Sequence, residues 1–127
     1  MSIEGTATID RARLLARDYW LVLSTPRPGT DQAAIESHLD DHLTWLLKLE
    51  CEDVLFASGP LVSGPAVGPG SGITVLRAPD EDVARRIAAA DPFVTAGLRT
   101  FEVYRWRLNE GSVSVRVSLG TGTYEWH

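Results

Sequence analysis

The chain has 127 residues, a length suited to one domain, and its 44% hydrophobic and 23% charged residues are typical of a globular protein. A net charge of −5 argues against a general nucleic-acid-binding protein, because such proteins carry a basic surface. The single cysteine excludes a disulfide within the chain, and the amino-terminal residues lack the pattern of a signal peptide. The longest apolar run, residues 19–23, is too short to cross a bilayer. We therefore expect a cytoplasmic protein that binds neither nucleic acid nor membrane.

The hydrophobic pattern predicts alternating strands and helices. Strands are expected where short apolar runs lie between turn residues, at 19–23, 54–57, 73–76 and 101–108. Helices are expected where apolar residues recur at helical spacing, at 9–18, 30–52 and 80–91. The order of the main elements is β-α-β-β-α-β, which predicts an α+β, ferredoxin-like fold with a four-stranded antiparallel sheet.

Prolines and glycines mark the expected connections. Residues 24–29 contain two prolines and a glycine, and the glycine-rich and proline-rich residues 61–72 predict a long irregular loop or flap. Thr30 or Asp31 can cap the long helix. Asp91, which precedes a proline, is expected to end the second helix, because a residue before proline avoids the helical region.

The fourth strand carries apolar side chains on both of its faces. Phe101 and Val103 lie on one face, and Tyr104, Trp106 and Leu108 lie on the other. Two helices can cover only one face of a four-stranded sheet, so the other face also needs a cover. We therefore expect a homodimer assembled through the helix-free face.

Residues beyond the fourth strand predict an additional arm. Valine and leucine alternate with serine and arginine over residues 112–119, and residues 123–126 can return as a hairpin. The sequence thus predicts three segments, an N-terminal extension at 1–18, a main domain at 19–109 and a C-terminal β arm at 110–127.

His42 is the most informative candidate for chemistry. On a helical wheel it lies within the apolar arc of the long helix, among Ile35, Leu39, Leu43, Leu46 and Leu49. A histidine in an apolar arc needs a polar partner, and Asp91 is the obvious candidate. A carboxylate can fix the tautomer of a histidine so that its other nitrogen transfers protons. The alternative is a buried pair that serves only the structure.

Further polar and aromatic residues are candidates for substrate contacts. Ser58, at a strand end, could donate a hydrogen bond to a substrate oxygen, or it could simply be a turn serine. Trp45 and Tyr104, with Trp20 and Trp106, could line a pocket for a flat substrate, although core packing explains each one as well. His38 lies one helical turn before His42, so the two could bind a metal, but no clear third ligand follows.

A set of short motifs occurs in a fixed order across residues 18–109. These are His42-Leu43, Leu46, Leu49, Val54-Leu55, Gly59-Pro60-Leu61, Asp91-Pro92-Phe93 and Ala96-Gly97-Leu98. In order and spacing they resemble the YCII-related family, a branch of the dimeric α/β-barrel proteins. Asp53 departs from the pattern, since the family often has glycine between the helix and the second strand. Both chain ends lie outside the pattern.

The resemblance implies a ferredoxin-like homodimer in which His42 and Asp91 correspond to a proposed catalytic dyad of the family. One member is a dehydrochlorinase of a chlorinated hydroxyhydroquinone, and related barrel proteins include muconolactone isomerase. We therefore expect a lyase or isomerase, without cofactor or metal, that acts on an enolisable or phenolic small molecule with or without a halogen. His38 and Ser58 would be polar helpers. Two alternatives stay open, a non-catalytic ligand-binding or accessory domain and a metal-dependent hydrolase that uses His38 and His42.

Overall fold

The computed structural model describes residues 8–64 and 70–126. A short 3-10 helix, Arg11–Arg13, comes first. The strands and helices that follow are, in chain order, β1 (Arg17–Pro26), α1 (Gln32–Cys51), β2 (Leu55–Pro60), β3 (Gly72–Leu76), α2 (Glu81–Ala89), α3 (Pro92–Thr95), β4 (Arg99–Leu108), β5 (Val115–Ser118) and β6 (Thr123–Trp126). Residues 18–107 form one compact unit, and the described residues of the two chain ends form another.

The larger unit is built on a four-stranded antiparallel sheet with strand order β2-β3-β1-β4. This order is that of a ferredoxin-like fold, so the predicted α+β class is confirmed. Across the ladders Ser24 lies opposite Gly72, and Ser58 lies opposite Thr74. The small and polar residues of three neighbouring strands therefore meet at one end of the sheet.

A hydrophobic core lies between the helices and one face of this sheet. Its buried centre comprises Val22, Leu49, Leu76 and Ala88. Half-buried residues of the same cluster include Trp20 of β1 and Phe101 and Val103 of β4. Phe101 and Val103 are two positions apart, so they lie on the same face of their strand. Burial of such side chains contributes about 1.5–3 kcal/mol each, which is why the helices stay on this face.

The ends of several strands differ from the prediction. β1 continues through Pro26, and β2 continues through Gly59 to Pro60, where a turn was expected. Pro60 is tolerated because β2 is an edge strand and Pro60 is its last residue. Within the irregular loop predicted at residues 61–72, residues 65–69 lie outside the described part of the chain, so the flap stays a prediction.

The smaller unit contains a two-stranded antiparallel sheet formed by β5 and β6, with Val117 opposite Tyr124. The predicted hairpin is thus present, with a shorter first strand than residues 112–119. The predicted helix at 9–18 is wrong, since only the 3-10 turn Arg11–Arg13 forms. Its few apolar anchors, Leu14 and Leu15, are exposed, and an isolated helix this short has little stability.

The long helix and the second helix begin where expected. Asp31 caps α1 by accepting a hydrogen bond from the backbone N–H of Ala33, and Asp80 caps α2 in the same way through Val83. No helix in the described residues combines the length and the apolar character that a membrane span requires.

Asp18 of β1 joins the two arginines of β4 that face it, and this contact yields a prediction about acid stability. Arg107 Nε lies 2.6 Å and Arg105 Nε 2.8 Å from the Asp18 carboxylate. These hydrogen bonds, that of Arg107 first, hold the pKa of Asp18 well below its usual value of 3.8. A lowered folded-state pKa stabilises the protein above the unfolded-state pKa, and the stabilisation is lost as the pH falls towards the folded value.

We therefore expect Asp18→Asn to lower the free energy of unfolding near neutral pH, and the gap from the wild type to shrink as the pH falls below about 4. Urea denaturation at a series of pH values measures this gap. Asp41→Asn, at an exposed position of α1, is the control and should show no such trend. A gap for Asp18→Asn that is constant with pH would contradict the interpretation.

Candidate active site

His42 of α1 and Asp91, which precedes α3, are in direct contact. His42 Nδ1 lies 2.8 Å from Asp91 Oδ1. The two side chains are 13% and 7% exposed, respectively. The predicted contact between these residues is therefore present, although they are 49 positions apart in the chain.

Asp91 begins a helix rather than ending one, which corrects the prediction. α2 ends at Ala89, and Asp91 is the N-cap of the four-residue helix α3, with Pro92 at its first position. Asp91 Oδ1 accepts a second hydrogen bond from the backbone N–H of Phe93, at 3.0 Å. In the folded chain the proline therefore starts a new helix instead of ending the previous one.

The hydrogen bonds of Asp91 define the tautomer of His42. An ionised carboxylate can only accept hydrogen bonds, so a neutral His42 ring must carry its hydrogen on Nδ1. Nε2 then holds the lone pair of the ring and can accept a proton. The ring also packs against Phe93 and Trp45, with centroids 4.4 Å and 5.9 Å away. These contacts hold the imidazole in one orientation.

His42 and Asp91 lie in the wall of a cavity of about 420 Å³. This volume is in the range of small-molecule sites. Its polar lining residues are Ser24, His42, Ser58, Ser71, Thr74, Asp91 and Arg99. Its other lining residues are Leu39, Leu43, Leu46, Gly59, Pro60, Gly72, Ile73 and Phe93.

The apolar arc of α1 serves two purposes along its length. Ile35, Leu46 and Leu49 are buried, as the wheel predicts. Leu39 and Leu43 belong to the same arc but remain partly exposed, and both line the cavity beside His42. The helix therefore supplies both core residues and an apolar wall for a ligand.

Ser58 is the predicted helper that lines the cavity, and it lies within β2 rather than in a turn. His38 Nδ1 lies 2.9 Å from the backbone carbonyl of Ala34, so its ring bonds to its own helix. Trp45 contacts the His42 ring but lines a separate, shallower cleft beside α2.

Tyr104 is not brought to this cavity. It alternates in β4 with Phe101 and Val103, which pack in the core, so it lies on the opposite face of the sheet. There its hydroxyl donates a hydrogen bond to Glu102. The expected pocket that combined Trp45 and Tyr104 therefore does not form within this unit.

Arg99, at the start of β4, is a cavity residue that sequence reasoning missed. Its guanidinium carbon lies 4.2 Å from the centroid of the Phe93 ring. Burial lowers the pKa of Arg99, while the charge of Asp91 acts in the opposite direction. The alternation of β4 could have found it, because Arg99 falls on the same side as Phe101 and Val103.

Gly97 allows the turn that places Arg99 in the wall of the cavity. Its φ of 74° lies in the left-handed region that favours glycine, and it directly follows Ala96, the C-cap of α3. The backbone N–H of Leu98 then donates to the carbonyl of Phe93 at 2.9 Å. The chain thus reverses in a few residues and enters β4 beside Phe93.

No group of three metal-ligating side chains occurs among residues 8–64 and 70–126. Nδ1 of His42 faces Asp91, and Nδ1 of His38 faces the carbonyl of Ala34. The described residues therefore provide no set of ligands for the alternative function, a hydrolase with a metal bound by His38 and His42.

Comparison with known proteins places the chain in a family. A sequence model of the YCII-related domain matches residues 19–107. The chain belongs to the YCII-related family. This YCII-related protein has a fold similar to that of 5-chloro-2-hydroxyhydroquinone dehydrochlorinase (TftG) from Burkholderia phenoliruptrix AC1100, solved in complex with 2,5-dihydroxybenzoquinone.

The similarity to this dehydrochlorinase has a TM-score of 0.56 and 25% sequence identity, and it covers 69% of this chain and 92% of the other. No curated protein sequence matches the chain. The family resemblance carried by the sequence motifs is confirmed.

The role of Asp91 in fixing the His42 tautomer can be tested by ¹⁵N NMR of the imidazole rings above neutral pH. We expect the wild type to show His42 with its hydrogen on Nδ1. Asp91→Ala removes the acceptor and should release the ring to the Nε2–H form, and it should cost about 1–2 kcal/mol because the cap of α3 is lost.

Asp91→Asn is the matched variant, since an amide oxygen can keep both hydrogen bonds and should largely retain the Nδ1–H form. His38 provides an internal reference that should be the same in all three proteins. An Nε2–H tautomer of His42 in the wild type would contradict this assignment.

Proposed function

We propose that this protein is a small-molecule lyase or isomerase in which His42 and Asp91 form a proton-transfer dyad that needs no cofactor. The observation that carries the proposal is the hydrogen bond between His42 Nδ1 and Asp91 Oδ1 in the wall of a cavity large enough for a substrate. This arrangement leaves Nε2 to act as general base and then as general acid. The dehydrochlorinase activity of the similar protein favours the same class of chemistry.

The proposed substrate is enolisable or phenolic, and it can carry a halogen. In an elimination, His42 Nε2 takes a proton from a C–H group beside a carbonyl. The electron pair of that bond forms a C=C bond, and the halide leaves with its own bonding pair. The net change is loss of hydrogen halide, so neither an oxidant nor a reductant is required. In an isomerisation, Nε2 returns the proton to a different atom of the same molecule.

The remaining residues of the cavity have supporting roles in this proposal. Ser58 lines the cavity and can donate a hydrogen bond to a substrate oxygen. Leu39 and Leu43 offer an apolar wall to a flat ring. Asp91 keeps the imidazole oriented and stabilises its protonated form during the reaction.

His42→Ala should lower turnover by about 10²–10⁴-fold, because a positioned general base contributes that much. A suitable assay measures chloride release from chlorinated hydroxyhydroquinones, or absorbance change with enolisable lactones. His38→Ala is the matched control, since His38, which the sequence suggested as a polar helper, bonds to Ala34 of the same helix and is not a lining residue of the cavity. It should retain activity.

Circular dichroism and thermal melting show whether each variant is folded. Turnover is also measured for Asp91→Asn, which changes the other residue of the dyad and leaves the imidazole ring in place. A folded His42→Ala variant with wild-type turnover would overturn the proposal. A wild type that binds these compounds without converting them, and a His42→Ala variant that only lowers the melting temperature, would favour the non-catalytic alternative.

We propose in addition that the protein is a homodimer assembled through the helix-free face of the sheet. Tyr104 and Trp106 are 49% and 36% exposed on this face, and the exposed Phe56 packs against Tyr19, whose ring also lies near that of Trp106. Such a surface of large aromatic residues is typical of a protein interface.

A cytoplasmic location also remains a prediction.

Light scattering after size-exclusion chromatography measures the mass of the particle. We expect twice the chain mass of 13.9 kDa for the wild type. Trp106→Glu should shift the protein towards the monomer, because it places a charge in the buried interface. Leu47→Glu, at an exposed position of α1, is the control and should leave the dimer unchanged. A monomeric wild type would contradict this proposal.

A further inference from the structure

Two polar atoms in the cavity wall are buried without a hydrogen-bond partner among the described residues. They are Oγ of Ser24 and Nε of Arg99. Ser24 is only 7% exposed, so solvent cannot readily satisfy its hydroxyl. Buried polar groups are nearly always paired in native proteins, and an unpaired one calls for an explanation. Here both unpaired groups can donate a hydrogen bond, and the two residues that carry them line the same cavity.

The sheet brings these two groups to the same place. Ser24 of β1 lies opposite Gly72 of β3 in the ladder. A Cβ atom at Gly72 would lie 3.8 Å from Nη1 of Arg99. Since β1 lies between β4 and β3, the Arg99 side chain crosses above β1 to reach this position. The guanidinium and the Ser24 hydroxyl therefore share one end of the sheet, where Gly72 leaves space.

Phe93 connects this cationic end of the cavity to the dyad. The Arg99 guanidinium carbon lies 4.2 Å from the Phe93 ring centroid, and the His42 ring lies 4.4 Å from it. One aromatic ring therefore positions both groups in the same cavity. The Asp91 carboxylate accepts hydrogen bonds from His42 and Phe93, and Arg99 Nε has no hydrogen-bond partner among the described residues.

We propose that Arg99 and Ser24 form a subsite for an anionic oxygen of the substrate, such as a phenolate, an enolate or a carboxylate. The inference rests on the proposed function, and it names the substrate class of the same cavity. A guanidinium presents several donors in a plane, which suits a delocalised oxyanion. Proton removal by His42 creates such a charge, so the subsite also stabilises the enolate that forms. Burial depresses the pKa of Arg99, and a bound anion would offset that penalty.

A pair of quinone probes tests the subsite directly. 2,5-Dihydroxybenzoquinone carries acidic hydroxyls that ionise, and 2,5-dimethoxybenzoquinone has the same ring without them. Quenching of tryptophan fluorescence at pH 7 gives the dissociation constant of each probe. We expect the wild type to prefer the dihydroxy compound, and Arg99→Gln to weaken its binding about tenfold or more because a charge-assisted hydrogen bond is lost.

The matched variants isolate the contribution of the charge. Arg99→Gln should change binding of the dimethoxy compound by less than about twofold, since that compound offers no anion. Ser24→Ala should weaken the dihydroxy compound by about two- to tenfold, as expected for one neutral donor. Arg99→Lys keeps the charge and should restore part of the affinity. Arg85→Gln, on the exposed side of α2, should have no effect.

Failure of this subsite is distinguishable from failure of the proposed function. His42→Ala should still bind the dihydroxy probe, so selective loss of that probe in Arg99→Gln supports the subsite even if no turnover is found. Equal affinity of the wild type for the two probes would overturn the subsite, whatever His42→Ala does to turnover. If Arg99→Gln does not fold, unchanged binding in both Arg99→Lys and Ser24→Ala would overturn it.

Discussion

The site depends on two hydrogen bonds that Asp91 Oδ1 accepts. One carboxylate oxygen accepts from the imidazole of His42 and from the backbone N–H of Phe93. It thereby links α1 to the start of α3 at a position with little solvent. A buried carboxylate is costly unless it is compensated by such bonds. The same oxygen thus caps a helix and sets the tautomer of His42.

The core and the cavity are two parts of one layer between the sheet and the helices. Along β1 the helix-facing residues change from Trp20 and Val22 to the small and polar Ser24. Along β3 they change from Leu76 to Thr74 and Gly72. Large side chains at one end fill the layer, and small ones at the other leave about 420 Å³. A change of side-chain size along two strands is therefore enough to make a site beside a packed core.

The chemistry proposed for the protein follows from how charge is distributed in that cavity. In this proposal Asp91 stabilises a protonated His42, while Arg99 and Ser24 donate hydrogen bonds to a substrate oxygen. A base beside an anion-binding group suits a reaction in which removal of a proton leaves a delocalised oxyanion. The similar dehydrochlorinase was solved in complex with 2,5-dihydroxybenzoquinone, a flat molecule with two hydroxyl groups.

The sequence by itself determined the order of the main elements, the family and the two residues that form the buried hydrogen-bonded pair. Helical spacing placed His42 in an apolar arc, where it needs a polar partner, and Asp91 was the residue named. Only the tertiary structure decided that Asp91 starts α3, that Tyr104 lies on the far face, and that Arg99 crosses β1 to reach Gly72. The physical reason is that periodicity reports which side of an element a residue occupies. Closeness between elements is set by non-local strand pairing and by packing, which no local pattern contains.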